Sequence, residues 1–131
     1  MAYEIANAAV KVTLPAAEDL SAKQYFFVKI NTSGQAALCS GVTDKPIGVL
    51  QNNPAAGQEA VITVVGGTKV VASASLDEGT LVGTTAAGKA GAKVPGTDTT
   101  NYVVGTVILA AGADNEIATA LVNCASPARA A

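Results

Sequence analysis

Gly83-Thr84-Thr85-Ala86-Ala87-Gly88-Lys89 matches GxxxxGK, the pattern in which backbone N–H groups and a lysine cradle the phosphates of a nucleotide. That chemistry also needs a Ser or Thr hydroxyl at the next position to hold Mg²⁺, and a helix whose N-terminus faces the phosphate. Ala90 stands in the hydroxyl's place, and Gly91-Ala92-Lys93-Val94-Pro95-Gly96 cannot open a helix. No strand ending in a carboxylate for the metal is evident. The stretch therefore reads as a glycine-rich hairpin turn.

Other chemistries fare no better. General acid–base catalysis usually recruits histidine, and the chain has none. The carboxylate pairs Glu18/Asp19, Asp77/Glu78 and Asp114/Glu116 all sit beside turn residues, where a solvated carboxylate or an Asx-type turn accounts for them. GxSxG is absent, and Thr32-Ser33-Gly34 is a turn rather than a nucleophile with its base. Cys39 and Cys124 lie far apart without CxxC spacing, so neither a metal centre nor any other cofactor site is expected. Reduced, buried thiols are the plain reading of the two, with one disulfide between late-paired strands as the alternative. Asn31-Thr32-Ser33 fits a glycosylation sequon but is more simply a turn.

Charge and composition narrow the partners. The net charge is −2, and Lys11, Lys23, Lys29, Lys45, Lys69, Lys89, Lys93 and Arg129 are scattered singly, so the basic stripe that neutralises phosphates is missing and no nucleic-acid partner is expected. Met1-Ala2-Tyr3-Glu4 lacks a secretory pattern, and no stretch approaches the ~20 apolar residues of a membrane span. A soluble chain made in the cytosol, with no membrane partner, is the expectation. At 131 residues it has room for one domain, residues 1–131. The aromatics are Tyr3, Tyr25, Phe26, Phe27 and Tyr102, so the core must be built from Val, Ile, Leu and Ala.

The elements that hold these residues read as strands throughout. Apolar stretches are short, β-branched and closed by turn residues, and no window has sustained helical periodicity. Val10, Val12 and Leu14 alternate on one face of a first strand, and Pro15 closes it because proline cannot donate to a ladder. Residues 24–30 and 36–39 form a hairpin around Asn31-Thr32-Ser33-Gly34. Residues 46–51, 58–65 and 69–72 follow, with Gly66-Gly67 as the turn between the last two; 80–84, 102–109 and 116–122 complete the set. Residues 86–101, with Gly88, Gly91, Pro95 and Gly96, are expected as a long exposed loop holding at most one short pairing. Residues 1–9 form an N-terminal arm and 124–131 a loose tail. Roughly eight to ten strands imply an all-β fold, a compact antiparallel β-sandwich or small β-barrel with long loops.

One phrase occurs twice. Gly48-Val49-Leu50 leads through Pro54-Ala55-Ala56-Gly57 to Glu59-Ala60-Val61-Ile62-Thr63-Val64, and Gly105-Thr106-Val107 leads through Ala110-Ala111-Gly112 to Glu116-Ile117-Ala118-Thr119-Ala120-Leu121. Each copy reads as a β-hairpin module, and Glu59 and Glu116 take matching places at the wet end of a strand. An ion pair from either to Lys45, Lys69 or Lys93 across a subunit boundary would tune register only, being worth about 0–1 kcal/mol.

Ala17-Glu18-Asp19-Leu20, Pro46-Ile47-Gly48-Val49-Leu50-Gln51-Asn52-Asn53-Pro54-Ala55-Ala56-Gly57-Gln58 and Val104-Gly105-Thr106-Val107 resemble the small capsid cement, or head decoration, proteins of tailed bacteriophages. The likeness runs from about residue 8 to 123 and is strongest over 47–61, with Gly66, Gly79 and Gly105 in keeping. It implies a β-rich virion protein, not an enzyme, that is made in the host cytoplasm and binds the outer surface of the expanded capsid. It further implies a symmetric homo-oligomer, trimers first, that braces the major capsid protein against DNA pressure. A tail-tube or fibre-base role is the alternative. Gly48, Pro54, Gly57, Gly66, Gly79 and Gly105 read as fold-determining turns rather than contact residues. Extended arms and long loops usually serve binding, so Met1, Ala2, Tyr3, Glu4 and Ile5, with Lys89 and Lys93 of the long loop, are the expected capsid or oligomer contacts.

Overall fold

Short β-branched runs separated by Gly, Asn and Pro leave a chain little choice but strands that pair with near neighbours. The computed structural model describes residues 9–131; the arm residues Met1 to Ile5 lie outside the described residues. Its strands are β1 (Val10–Pro15), β2 (Phe27–Ile30), β3 (Ala36–Leu38), β4 (Gly48–Leu50), β5 (Glu59–Val71), β6 (Leu81–Thr84), β7 (Ala90–Ala92), β8 (Tyr102–Val103), β9 (Gly105–Leu109), β10 (Ile117–Asn123) and β11 (Ala128–Arg129). The main sheet runs β3-β2-β4-β5-β10-β9-β6-β7, with β1 added to β5, and every ladder is antiparallel. It curls into a half-barrel, so the fold is all-β as the composition implies.

The expected turn at Gly66-Gly67 is not one. β5 runs unbroken through both glycines, which pair with Val122 and Leu121 of β10. A continuous partner strand overrides the turn signal, and Gly66 (φ 130°) supplies a backbone conformation that other residues resist. Residues 59–65 carry β1 and β4, and residues 65–71 carry β10. The two halves of the chain are thus joined by one strand.

Those halves repeat each other far beyond the hairpins visible in the sequence. Pairings β1·β5, β4·β5, β2·β4 and β2·β3 in the first half recur as β5·β10, β9·β10, β6·β9 and β6·β7 in the second. Single hydrogen bonds recur with them. Ala16 donates to Gln58 O (2.8 Å) and accepts from Gly57 N–H (2.9 Å), just as Ala72 donates to Glu116 O (2.8 Å) and accepts from Asn115 N–H (2.9 Å). Leu50 N–H reaches Phe26 O and Val107 N–H reaches Thr80 O, both at 2.9 Å. The parallel bridges Ala16↔Ala36 and Ala72↔Ala90 also match. We call residues 10–65 repeat 1 and residues 66–123 repeat 2.

Each repeat has its own core. Ala16, Leu20, Val28, Ala36, Leu50, Ala60 and Ile62 form that of repeat 1. Their counterparts Ala72, Leu76, Val82, Ala90, Val107, Ala118 and Ala120 lie in a larger cluster that also takes in Phe27, Cys39 and Val49 from repeat 1. Side chains alternate across a strand, so Phe27 and Val49 point to one core and Val28 and Leu50 to the other. Among the described residues no buried side-chain nitrogen or oxygen lacks a hydrogen-bond partner, which removes the largest penalty such a core can carry.

Two long segments are more ordered than their composition suggests. Residues 86–101 contain β7, and Lys93 and Asn101 are buried, so this is not simply an exposed loop. Residues 124–131, expected to trail loosely, return instead: β11 pairs with β8, Ala130 O accepts from Gly96 N–H (2.8 Å), and Cys124 and Ala130 are buried. Small residues pack closely without needing a hydrophobic run to announce them, which is why both segments looked like coil.

Candidate functional site

The chemistry-bearing patterns resolve into structure. GxxxxGK is the β6–β7 hairpin: Thr85 N–H donates to Lys89 O (2.9 Å) and Gly88 N–H to Thr85 O (3.1 Å), the arrangement that Asn31, Gly34 and Gln35 make in repeat 1. Lys89 points away from any phosphate cradle to Asp114, Nζ to Oδ1 2.9 Å. Asp19 accepts from Ser21 N–H (3.0 Å) and Glu78 from Ala110 N–H (2.9 Å), turn work for exposed carboxylates; the Ser21 side chain and then its backbone lower the Asp19 pKa, and the Ala110 N–H lowers that of Glu78. Among the described residues no cluster of three or more His, Cys, Asp or Glu is placed to hold a metal. No helix among them is long and apolar enough to cross a membrane.

Both cysteines are free and buried, and desolvation pushes each thiol up to about 12. They are protonated, unreactive core residues at neutral pH.

Of the fold-determining positions, Gly48 and Gly105 are counterparts in close contact with a neighbouring strand. A Cβ on Gly48 would fall on the Thr63 carbonyl, and one on Gly105 would lie 2.8 Å from Leu121 O. Gly57 (φ 80°) holds the left-handed corner of the first hairpin, where the second uses Asn115 (φ 69°), one of the few non-glycine residues that tolerate it. Pro54 is buried and its carbonyl accepts from Leu20 N–H (2.9 Å). Gly79 (φ 85°) takes the place that Tyr25 (φ 68°) has in repeat 1. Glu59 and Glu116 are not true counterparts: the hydrogen bonds from Ala16 and Ala72 align Gln58 with Glu116. No ion pair joins either glutamate to a lysine among the described residues.

The repeats differ in one face. In repeat 1, Phe27, Val49 and Thr63 line the side of the sheet turned toward repeat 2, and all three are buried. The corresponding side of repeat 2 is open. On β10, Ala118, Ala120 and Val122 point inward while Ile117 and Leu121 point out, 46% and 53% exposed. Leu109, opposite Thr119, is 62% exposed, and Ile108 is 48% exposed at the bulge beside it. Where β10 meets the C-terminal return, an open groove is lined by Val103, Thr106, Leu121 and Ser126. The fold does not require this apolar strip, because Gln51 and Glu59 take the places of Leu109 and Ile117 in repeat 1. Large apolar side chains exposed together on one side of a well-packed sheet mark a candidate binding surface.

This strip escaped the sequence reading, which placed contacts on Met1 to Ile5, outside the described residues, and on Lys89 and Lys93. Lys89 is tied to Asp114 and Lys93 is buried, 7% exposed. The available signal was the mismatch between the two copies, polar at one position and apolar at its counterpart.

No protein-family model matches the sequence, and no curated protein matches it. Among solved structures, the fold is similar to the N base of head fiber gp8.5 in bacteriophage phi29, with a TM-score of 0.61 and 16% identity over 88% of this chain and 95% of that one. At that identity the likeness is one of fold.

Proposed function

We propose that this chain is a structural virion protein of a tailed bacteriophage, carried on the outer surface of the head. There it binds the major capsid protein as a homotrimer and stabilises the expanded shell. The observation that carries the reading is the likeness of fold to a phage head-fiber base over nearly the whole length of both chains. The resemblance to cement proteins in residues 47–61 points the same way, and the strip of Ile108, Leu109, Ile117 and Leu121 supplies a surface for the contact. Symmetry makes modest contacts sufficient, since after one arm of an oligomer binds, the effective concentration of the others is about millimolar. A second reading, the base of a fibre attached to the head, is favoured by the name of that neighbour.

Cryo-electron microscopy of undecorated heads mixed with purified protein tests both. Density at three-fold and quasi-three-fold lattice positions is the expected outcome; density confined to sparse sites bearing a projecting fibre selects the second reading, and bare heads overturn both. L109D and L121D, alone and together, are expected to abolish binding while changing stability by no more than about 0.5 kcal/mol, as exposed positions usually do.

A further inference from the structure

The contact between the two repeats is made from surfaces that the molecule possesses twice. Within the chain, the outer side of repeat 1 (Phe27, Val49 and Thr63) closes over the core side of repeat 2, where Val70, Thr84 and Val104 are buried. Two hydrogen bonds cross the boundary: Phe27 N–H donates to Gly88 O (2.7 Å) and Gln51 Nε2 to Thr68 Oγ1 (2.8 Å). Each half of this contact has a counterpart that the described residues leave open. Leu81, Thr106 and Leu121 take the places of Phe27, Val49 and Thr63; the first two are half-buried, Leu121 is exposed, and Thr106 and Leu121 line the open groove. Leu14, Ile30 and Ile47 take the places of Val70, Thr84 and Val104, since Leu14 pairs with Ala60 as Val70 does with Ala118, and Ile47 N–H reaches Val28 O as Val104 N–H reaches Val82 O. Leu14 and Ile47 are half-buried, and Ile30 is 51% exposed where Thr84 is 1%.

We infer that these two open surfaces meet between copies: the outer side of repeat 2 in one copy closes over the core side of repeat 1 in the next, repeating the contact found inside the chain. The residue types change in step across it. Gln51 and Thr68, hydrogen-bonded inside the chain, have Leu109 and Val12 as counterparts, so a polar pair gives way to an apolar pair on both surfaces at once. Thr63 and Thr84 give way to Leu121 and Ile30 in the same manner. Apolar side chains matched in this way gain by leaving water together. The bond from Phe27 to Gly88 has its copy in Leu81 N–H and Gly34 O, which do not meet within the described chain. One bond is not copied, because Val71 N–H donates to Tyr25 O (3.1 Å) and its counterpart Pro15 has no N–H. Such a contact is head-to-tail and forms a ring where the rotation closes. The inference rests on the homotrimer proposed above for the number of copies alone. Leu109 and Leu121 then serve head binding through the ring they build, whereas Ile108 at the bulge and Ile117, whose counterpart Glu59 is exposed, stay free to meet the shell.

Light scattering of the purified full chain, with cross-linking, tests this. The wild-type chain should be a trimer, and I30D and L121D, on opposite surfaces, should each run as monomers with unchanged circular dichroism. V12C/L109C treated with a short bismaleimide should give covalent trimers on a denaturing gel, and neither single variant should, since Cys39 and Cys124 are buried. A monomeric wild-type chain overturns the inference; if I30D then still binds undecorated heads, the head reading stands with the strip on the shell itself. L109C that cross-links alone also overturns it, because that needs a two-fold contact. A ring of another size that cross-links through V12C/L109C upholds the contact and removes only the homotrimer.

Discussion

Across β2, β4 and the first half of β5, repeat 1 is covered on both faces, whereas the matching strands of repeat 2 are covered on one. Counterpart residues make this concrete: Thr63 is 1% exposed and Leu121, its equivalent on β10, 53%. The same backbone plan therefore serves two purposes. In repeat 1 the outer side of the sheet is consumed by packing against repeat 2, with Gln51 Nε2 donating to Thr68 Oγ1 (2.8 Å) across the boundary. In repeat 2 that side carries the exposed Ile117 and Leu121. A duplicated fold thus makes its own control: a feature found in both copies belongs to folding, and a feature of one copy calls for another cause.

The comparison breaks most readily in the cores. Leu20 and Leu76 are counterparts, 0% and 1% exposed, and L20A and L76A should each cost about 2–5 kcal/mol in urea denaturation. Because β5 belongs to both repeats, each variant should shift a single cooperative transition. Two separate transitions would mean that the repeats fold independently.

Close strand contact comes next. G48A must displace the Thr63 carbonyl, while G105A meets Leu121 O at 2.8 Å, so both should destabilise by about 1–3 kcal/mol, with G48A the worse. The reverse order in thermal melts would show that repeat 1 relaxes more easily than repeat 2.

The hairpin corners sharpen the contrast at lower cost. G57V puts a β-branched residue at φ 80° and should lose about 1 kcal/mol or more, whereas N115G should be neutral within about 0.5 kcal/mol. Equal losses at the two corners would remove their equivalence.

The smallest effect expected concerns Asp44. Its Oδ2 accepts from Ser40 N–H (2.8 Å), Gly41 N–H (3.1 Å) and Lys29 Nζ (2.9 Å), where counterpart Asp98 accepts from Val94 N–H. Burial pushes the Asp44 pKa up, but Lys29 and the backbone donors outweigh it and the net shift is downward. A carboxylate lowered on folding contributes stability that is present above its ordinary pKa and is lost as pH falls through the folded value. D44N should therefore cost about 1 kcal/mol at pH 7 and progressively less in acid below pH ~4. A pH-independent cost would assign the effect to packing instead.

Much of the architecture was legible in the residues. Alternation and turn chemistry are local, so strands, the β2–β3 hairpin and the two echoed hairpins could be read from spacing alone. The failures share a cause. Gly66-Gly67 has turn chemistry, yet β10 pairs straight across it, and which partner lies beside a glycine is not a local property. Lys93 carries a surface residue's identity, yet it is buried with its Nζ on Asn101, eight residues further along the chain. The full repeat was hidden because its matches are hydrogen bonds made by backbone, which Ala16 and Ala72 can share while their neighbours Ala17-Glu18-Asp19 and Ser73-Ala74-Ser75 differ.

By itself, then, the sequence determined that this chain is all-β, poor in catalytic groups and built around a recurrent hairpin, since each of these follows from side-chain type and short-range spacing. Tertiary structure alone decided that the hairpin belongs to a larger repeat and that one sheet face remains open. It also decided that Lys93 meets Asn101 in the interior. These are facts about what lies opposite a residue, and an apolar strand face looks the same in sequence whether it meets its own core, its repeat or another protein.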